Sequence, residues 1–134
     1  MASGDKRIGT SGDSMPFGTE VLSVGPLLQA DALIFPIYVP VGMGTIRVKK
    51  VRSVVNILIG TGNSVVTIKN KTTGMTGGTL TITAASAIAA KDSCDIVDDA
   101  NAYVAEGDYI ALDHDGGSDA GEATFFIEYE RCQT

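Results

Sequence analysis

Short apolar runs, each closed by a glycine turn, leave this chain few folds to choose from. VAEGDYIALDHDGG (Val104–Gly117) starts a strand from one glycine turn and ends it on another, and EATFFIEYER (Glu122–Arg131) follows as a long alternating strand. From Ile46 to Ala84, β-branched runs alternate with turns rich in Gly, Asn and Thr. This punctuation predicts an all-β domain of about seven to nine strands, a β-sandwich or jelly roll. No amphipathic helix of useful length and no internal repeat interrupts it, which argues against a membrane-surface role.

The 134 residues suit one domain. A chain of this length buries roughly two thirds of its unfolded surface, so it needs neither disulfides nor a metal to fold. Cys94 and Cys132 form no metal-binding spacing and read as two reduced thiols, with a single disulfide as the alternative. Met1–Gly18 has no apolar core of a secretory signal, and the apolar runs Leu33–Val41 and Val54–Ile59 are too short to span a bilayer. A soluble protein made in a reducing cytosol is expected.

Met1–Gly18 carries Gly4, Gly9, Gly12, Pro16 and Gly18 and no apolar period. It reads as an extended arm, disordered alone and ordered on a partner, with Ile8, Met15 and Phe17 as its anchors. Residues 19–134 form the single domain. Pro26, Pro36 and Pro40 confine Val21–Val41 to sheet edges or corners, with room for one helical turn in Leu27–Phe35. In Thr45–Ile59 the apolar set moves from Ile46 and Val48 to Val51, Val55, Ile57 and Ile59, so a bulge is expected near Lys49–Lys50. Gly60–Asn63 is a turn, Ser64–Lys69 a strand, Asn70–Gly78 a second turn region and Thr79–Ala84 a strand with Leu80 and Ile82 inward. Ala84–Ala90 is a loop or one turn of helix. Phe126 breaks the polar face of the last strand and marks a subunit contact or a site covered by the arm.

Charge is lopsided. Residues 1–91 hold nine Lys/Arg against four Asp/Glu, a net of +5; residues 92–134 hold one Arg against twelve Asp/Glu, a net of −11; the two give the total of −6. The acidic total argues against nucleic-acid binding. The two halves are expected to separate in space, at least partly. Arg47, Lys49, Lys50 and Arg52 concentrate along one strand as a candidate docking surface. They lack the interleaved aromatics of a single-strand binder.

No catalytic set emerges, and an enzyme is not expected. His114, the lone histidine, stands between Asp113 and Asp115 before two glycines. Neighbours in an extended segment point to opposite faces, so it reads as a polar turn residue and no triad is expected. Asp113, Asp115, Asp119 and Glu122 crowd a glycine turn but lack the spacing of an EF-hand loop. Gly60-Thr61-Gly62 has no GK[ST] after it and is no phosphate cradle. No cofactor is expected.

The stretch IFPIYVPVGMGTIRVKKV (Ile34–Val51), a β-rich middle, VAEGDYIALDHDGGS (Val104–Ser118) and the final aromatic strand resemble the decoration, or cement, proteins of tailed-phage heads. The shared features are the strand starts Gly44-Thr45-Ile46 and Gly107-Asp108-Tyr109-Ile110 and the turn Asp115–Ser118. The likeness spans roughly Ile34 to Tyr129, and the cysteines and acidic tail depart from it. It implies a jelly roll that forms homotrimers on the outer capsid surface, over junctions between major capsid proteins, with the arm reaching across neighbours. It also implies synthesis in the host cytoplasm and residence in the virion, with no nucleic-acid or membrane partner. Two other readings compete. One is a carbohydrate- or receptor-binding sandwich, with or without calcium, against which the absence of Trp and the small number of Tyr and Phe count. The other is a small trimeric β-barrel enzyme such as a nucleotide hydrolase.

Overall fold

The computed structural model describes residues 18–132. The arm residues Ile8, Met15 and Phe17 lie outside this range. Nine strands follow in chain order: β1 (Glu20–Leu28), β2 (Ala32–Tyr38), β3 (Ile46–Ile57), β4 (Ser64–Asn70), β5 (Thr73–Ile82), β6 (Lys91–Asp95), β7 (Tyr103–Val104), β8 (Tyr109–Asp115) and β9 (Glu122–Arg131). They build two antiparallel sheets, β1-β9-β3-β6 and β2-β8-β4-β5, with β7 joined to β3. The protein is an all-β sandwich.

The order is that of a jelly roll. β1 pairs with β9, β2 with β8, β3 with β6 and β4 with β5, as if one long hairpin had been folded in half. Rolling that ribbon then sets β9 beside β3 and β8 beside β4. Alternate residues of each strand face the partner sheet. Val48, Val51, Val55, Phe125 and Ile127 of one sheet meet Val66, Ile68, Leu80, Ile82, Ile110 and Leu112 of the other, all fully buried.

Pro26 and Pro36 lie in edge strands, as their missing N–H requires. Pro26 is in β1, which bonds only to β9 and changes register between Val24 and Leu27; Pro36 is in β2, which bonds only to β8. Between these strands Gln29–Asp31 form a turn, with no helix. The expected bulge is present: β3 shifts register against β9 between Val48 and Lys50. A second shift, between Val55 and Ile57, turns Ile57 outward to 52% exposure, against the inward placement expected for it.

The Asn70–Gly78 turn region needs correction. The turn is only Lys71 and Thr72, with Lys71 left-handed at φ 58°, and β5 already begins at Thr73. Its glycines serve close packing within the strand. A Cβ on Gly78 would stand 2.9 Å from the Met75 carbonyl and 3.0 Å from that of Ile68. Gly77, at φ 80°, passes directly beneath the Asp95 carbonyl of β6. Glycine here marks close approach of two backbones.

Phe125 is fully buried at the centre of β9 between β1 and β3. Phe125→Ala is expected to lower the free energy of unfolding by about 3–5 kcal/mol, read as a shift of the urea midpoint at constant slope.

Candidate interaction surfaces

The cationic strand and the acidic C-terminal part of the chain meet on one sheet face. β3 lies between β9 and β6, and its outward side chains stand beside their carboxylates. Arg47 pairs with Glu130 (3.3 Å) and Asp98 (3.5 Å), Lys49 with Glu130 (3.7 Å), Lys50 with Asp95 (3.2 Å), and Arg52 with Glu128. Lys69–Asp113 (2.7 Å) and Lys71–Asp108 (3.3 Å) repeat the pattern on the other sheet. The expected separation of the two charge halves is therefore corrected. Strand pairing interleaves residues distant in sequence, and opposite charges across a ladder attract. Arg47, Lys49, Lys50 and Arg52 form a largely neutralised ladder in place of an open basic patch.

Phe126 emerges from the same face. It registers with Ser23 of β1 and Arg52 of β3 and is half-buried. Its ring borders a shallow groove of about 370 Å³ that Arg52, Val54, Lys91 and Ser93 also line. Asp92 at this groove has its carboxyl raised from the ordinary value, because burial disfavours the charged form.

The acidic residues of the glycine turn do not converge on one point. Asp113 binds Lys69. Asp115 Oδ1 accepts from the N–H groups of Val65 (3.0 Å) and Gly117 (2.8 Å), and Asp119 Oδ1 from that of Thr61 (2.7 Å). Each closes a turn or joins two loops. Among the described residues no group of three or more His, Cys, Asp or Glu is placed to hold a metal.

His114 is the main correction to the sequence reading. It is a strand residue of β8, 1% exposed, and its ring faces the core. Gln29 Nε2 donates to the Leu27 carbonyl at 2.7 Å, which directs Gln29 Oε1 toward Ser64 Oγ (2.6 Å) and His114 Nε2 (2.7 Å). Ser64 Oγ also stands 2.7 Å from Nε2. On the far side of the ring, Nδ1 lies 3.0 Å from the Gly116 N–H and 2.8 Å from the Asp31 carbonyl. Both ring nitrogens are engaged, Nε2 by Ser64 and Gln29 and Nδ1 by the Asp31 carbonyl and the Gly116 N–H. The Ser–His contact is thus structural: Ser64 and Gln29 are fully buried, and no substrate reaches the hydroxyl. The parity of Ile110, Leu112 and His114 carried this signal, since all three share one strand face.

Both cysteines are free. Burial pushes the Cys94 thiol up to about 11, with smaller opposing contributions from a backbone hydrogen bond and Lys50. Cys132 is also raised, chiefly by burial.

The two flanks of the sandwich differ. On one, the segment after β6 is tied to β5, with the Val97 N–H donating to the Thr76 carbonyl at 2.9 Å. On the other, an apolar cleft of about 200 Å³ opens beside β1 and β2, lined among others by Leu22, Ile37, Met43, Ile110, Ile127 and Tyr129. The Tyr129 hydroxyl is occupied by Glu20 Oε1 at 2.9 Å, and burial followed by that bond pushes its pKa up. No helix among the described residues is long and apolar enough to cross a membrane. Comparisons with protein-family models, with curated proteins and with solved structures found no match.

Two substitutions should move stability in opposite directions. His114→Ala strands Gln29, Ser64 and Gly116 and is expected to cost about 3 kcal/mol of unfolding free energy. Ser53→Ala removes a buried hydroxyl that has no hydrogen-bond partner and is expected to gain up to about 1 kcal/mol. Equilibrium denaturation of both variants checks the pair. Reversing Lys49 and Lys50 to Glu puts like charges opposite Glu130 and Asp95 and should lower stability by about 1 kcal/mol, with the loss shrinking as salt is added.

Proposed function

We propose that this chain is a structural decoration protein that binds the outer surface of a phage head at junctions between major capsid proteins and stabilises the shell. The observation that carries this reading is the apolar flank beside β1 and β2. Leu22 and Tyr38, which line the cleft there, are 39% and 60% exposed, Val21, Ile34 and Val41 add exposed apolar surface on the same two strands and the loop that follows them, and Asp31 is the lone charge between Val21 and Val41. A soluble chain that leaves such a flank bare has a partner for it. Pro26 and Pro36 hinder strand addition at both edges, so the partner is held by side-chain burial. The stretches that resemble decoration proteins fall on β2–β3, β7–β8 and β9, and β2, β3, β8 and β9 each contribute residues to the cleft lining.

The mechanism breaks no bond. A ligand that binds only the assembled shell lowers the free energy of that state and opposes its rupture. Association as a homotrimer multiplies the attachment points and raises the effective affinity. The ion-pair ladder and the Phe126 ring lie on the outer face of the β1-β9-β3-β6 sheet. A second reading, recognition of a sugar or receptor, draws on the Phe126 groove, where Lys91 and Ser93 flank an aromatic ring.

The test is a search of the neighbouring genes for a major capsid protein, and co-sedimentation with heads assembled from it; neighbours without one overturn the reading at once. Saturable binding and raised resistance of the heads to heat are expected, with light scattering giving three times the monomer mass. Heads that neither bind the chain nor gain resistance overturn the reading. Replacing Ile34 and Tyr38 with Asp should weaken binding at least tenfold while the fold persists, since both side chains already face water.

A further inference from the structure

β3 runs on past β6, and a loop finishes its edge. β6 pairs with β3 only from Lys50 to Val54. Beyond that, residues 85–90 take the place of a strand. The Ala89 N–H donates to the Val55 carbonyl (2.8 Å) and the Val55 N–H to that of Ala90 (3.0 Å). The Ile59 N–H donates to the Ser86 carbonyl (3.0 Å) and the Ala85 N–H to that of Gly60 (2.9 Å). Ile88 is thereby held alongside Ile57 and Leu58, and the three are 67%, 52% and 55% exposed. This rim stands at the far end of β3 from the cleft, to which β3 contributes Ile46.

The backbone is distorted twice to present these side chains. Two tight turns carry the loop, one closed by the Ser86 N–H on the Thr83 carbonyl (3.2 Å), the other by the Ala90 N–H on the Ala87 carbonyl (3.0 Å). The third residue of each is left-handed, Ala85 at φ 62° and Ala89 at φ 75°. Glycine is usual at such a place, and an L side chain there carries strain that the surroundings must offset. Ile88 is the second residue of its turn and stands at the corner. On β3, the register shift between Val55 and Ile57 gives up an inward position and places Ile57 outside. Exposed aliphatic clusters of this kind mark contact sites.

Charge selects the partner. Residues 53–68 and 72–90 contain no charged side chain, and the rim is built from these two stretches of a chain whose net charge is −6. Lys91 and Glu122, which lies opposite Ile57 in register, stand at its margin. Around a rotation axis each residue near the axis meets its own copy, so a charge placed there faces its like. A strongly acidic chain therefore approaches itself at least cost through a surface free of charge.

We propose that Ile57, Leu58 and Ile88 form the contact through which copies of this chain hold one another, with Ile88 nearest the threefold axis. This surface rests on the homotrimer of the proposed function and gives that trimer its interface, and the cleft beside β1 and β2 stays open for the shell.

The test uses the full-length protein without heads. Light scattering of the wild type should give three times the monomer mass. Ile88→Asp should raise the concentration of half-dissociation by at least about a hundredfold and leave a monomer with unchanged circular dichroism, since Ile88 already faces water. Val97→Asp, at a side chain 49% exposed on the β5–β6 flank, should leave the trimer intact. A second measurement disrupts nothing. In a Cys132→Ser background the buried Cys94 is the one remaining native thiol, and Ile88→Cys should be joined between copies by a short bis-maleimide. A trimer that survives Ile88→Asp, or an Ile88→Cys thiol that joins no second chain, overturns this interface and leaves the homotrimer standing. A trimer lost with Phe126→Glu but kept with Ile88→Asp also overturns it and moves the contact to the Phe126 groove. A wild type that is monomeric throughout overturns interface and homotrimer together, and leaves head binding to be read by co-sedimentation.

Discussion

The pairing of β3 with β9 is the contact on which the remaining architecture rests. Among the described residues β3 is the longest strand and the only one hydrogen-bonded to three others. Its union with β9 brings the middle of the chain against its end, and it can form only after the ribbon has rolled. The bulge between Val48 and Lys50 makes that union productive. Without it, either Ile46 and Val48 or Val51 and Val55 would face water, because one residue of slip inverts every face. The same register places the cations of β3 beside the carboxylates of β9. Hydrophobic burial thus sets the charge pattern, and exposed pairs of this kind add little stability of their own.

The sandwich is closed unevenly. Backbone bonding ties the β5–β6 flank, while the β1–β2 flank relies on prolines and apolar side chains. Proline protects an edge against further strand pairing but does nothing to cover apolar surface. That combination suits a surface meant to meet side chains from outside.

Gln29, Ser64 and His114 add a second kind of constraint. Buried polar groups cost free energy unless each finds a partner, so this cluster tolerates only one arrangement of the β1–β2 turn over β4 and β8. Apolar packing alone would allow the turn to slide. The histidine is spent on positioning.

Much of the fold was legible in the residues. Period-two alternation of Thr79–Ile82 and Ala123–Ile127, glycine turns and the phase change at Lys49–Lys50 are local signals, and local backbone sterics decide them. Proline at positions 26 and 36 told of edge strands for the same reason. What sequence could not decide were relations between distant strands. Ile57 turned outward because a second bulge answers to β9, and Gly77 and Gly78 serve a strand because β6 and β4 come close. His114 is buried because Gln29 and Ser64, 85 and 50 residues away, close around it. The ion pairs, the Phe126 groove and the open cleft likewise exist only once the ribbon is rolled. The sequence by itself determined strands, turns and edges, since these depend on neighbours in the chain; the tertiary structure decided which charges cancel, which polar groups are buried and where apolar surface stays bare, since these depend on which strands meet.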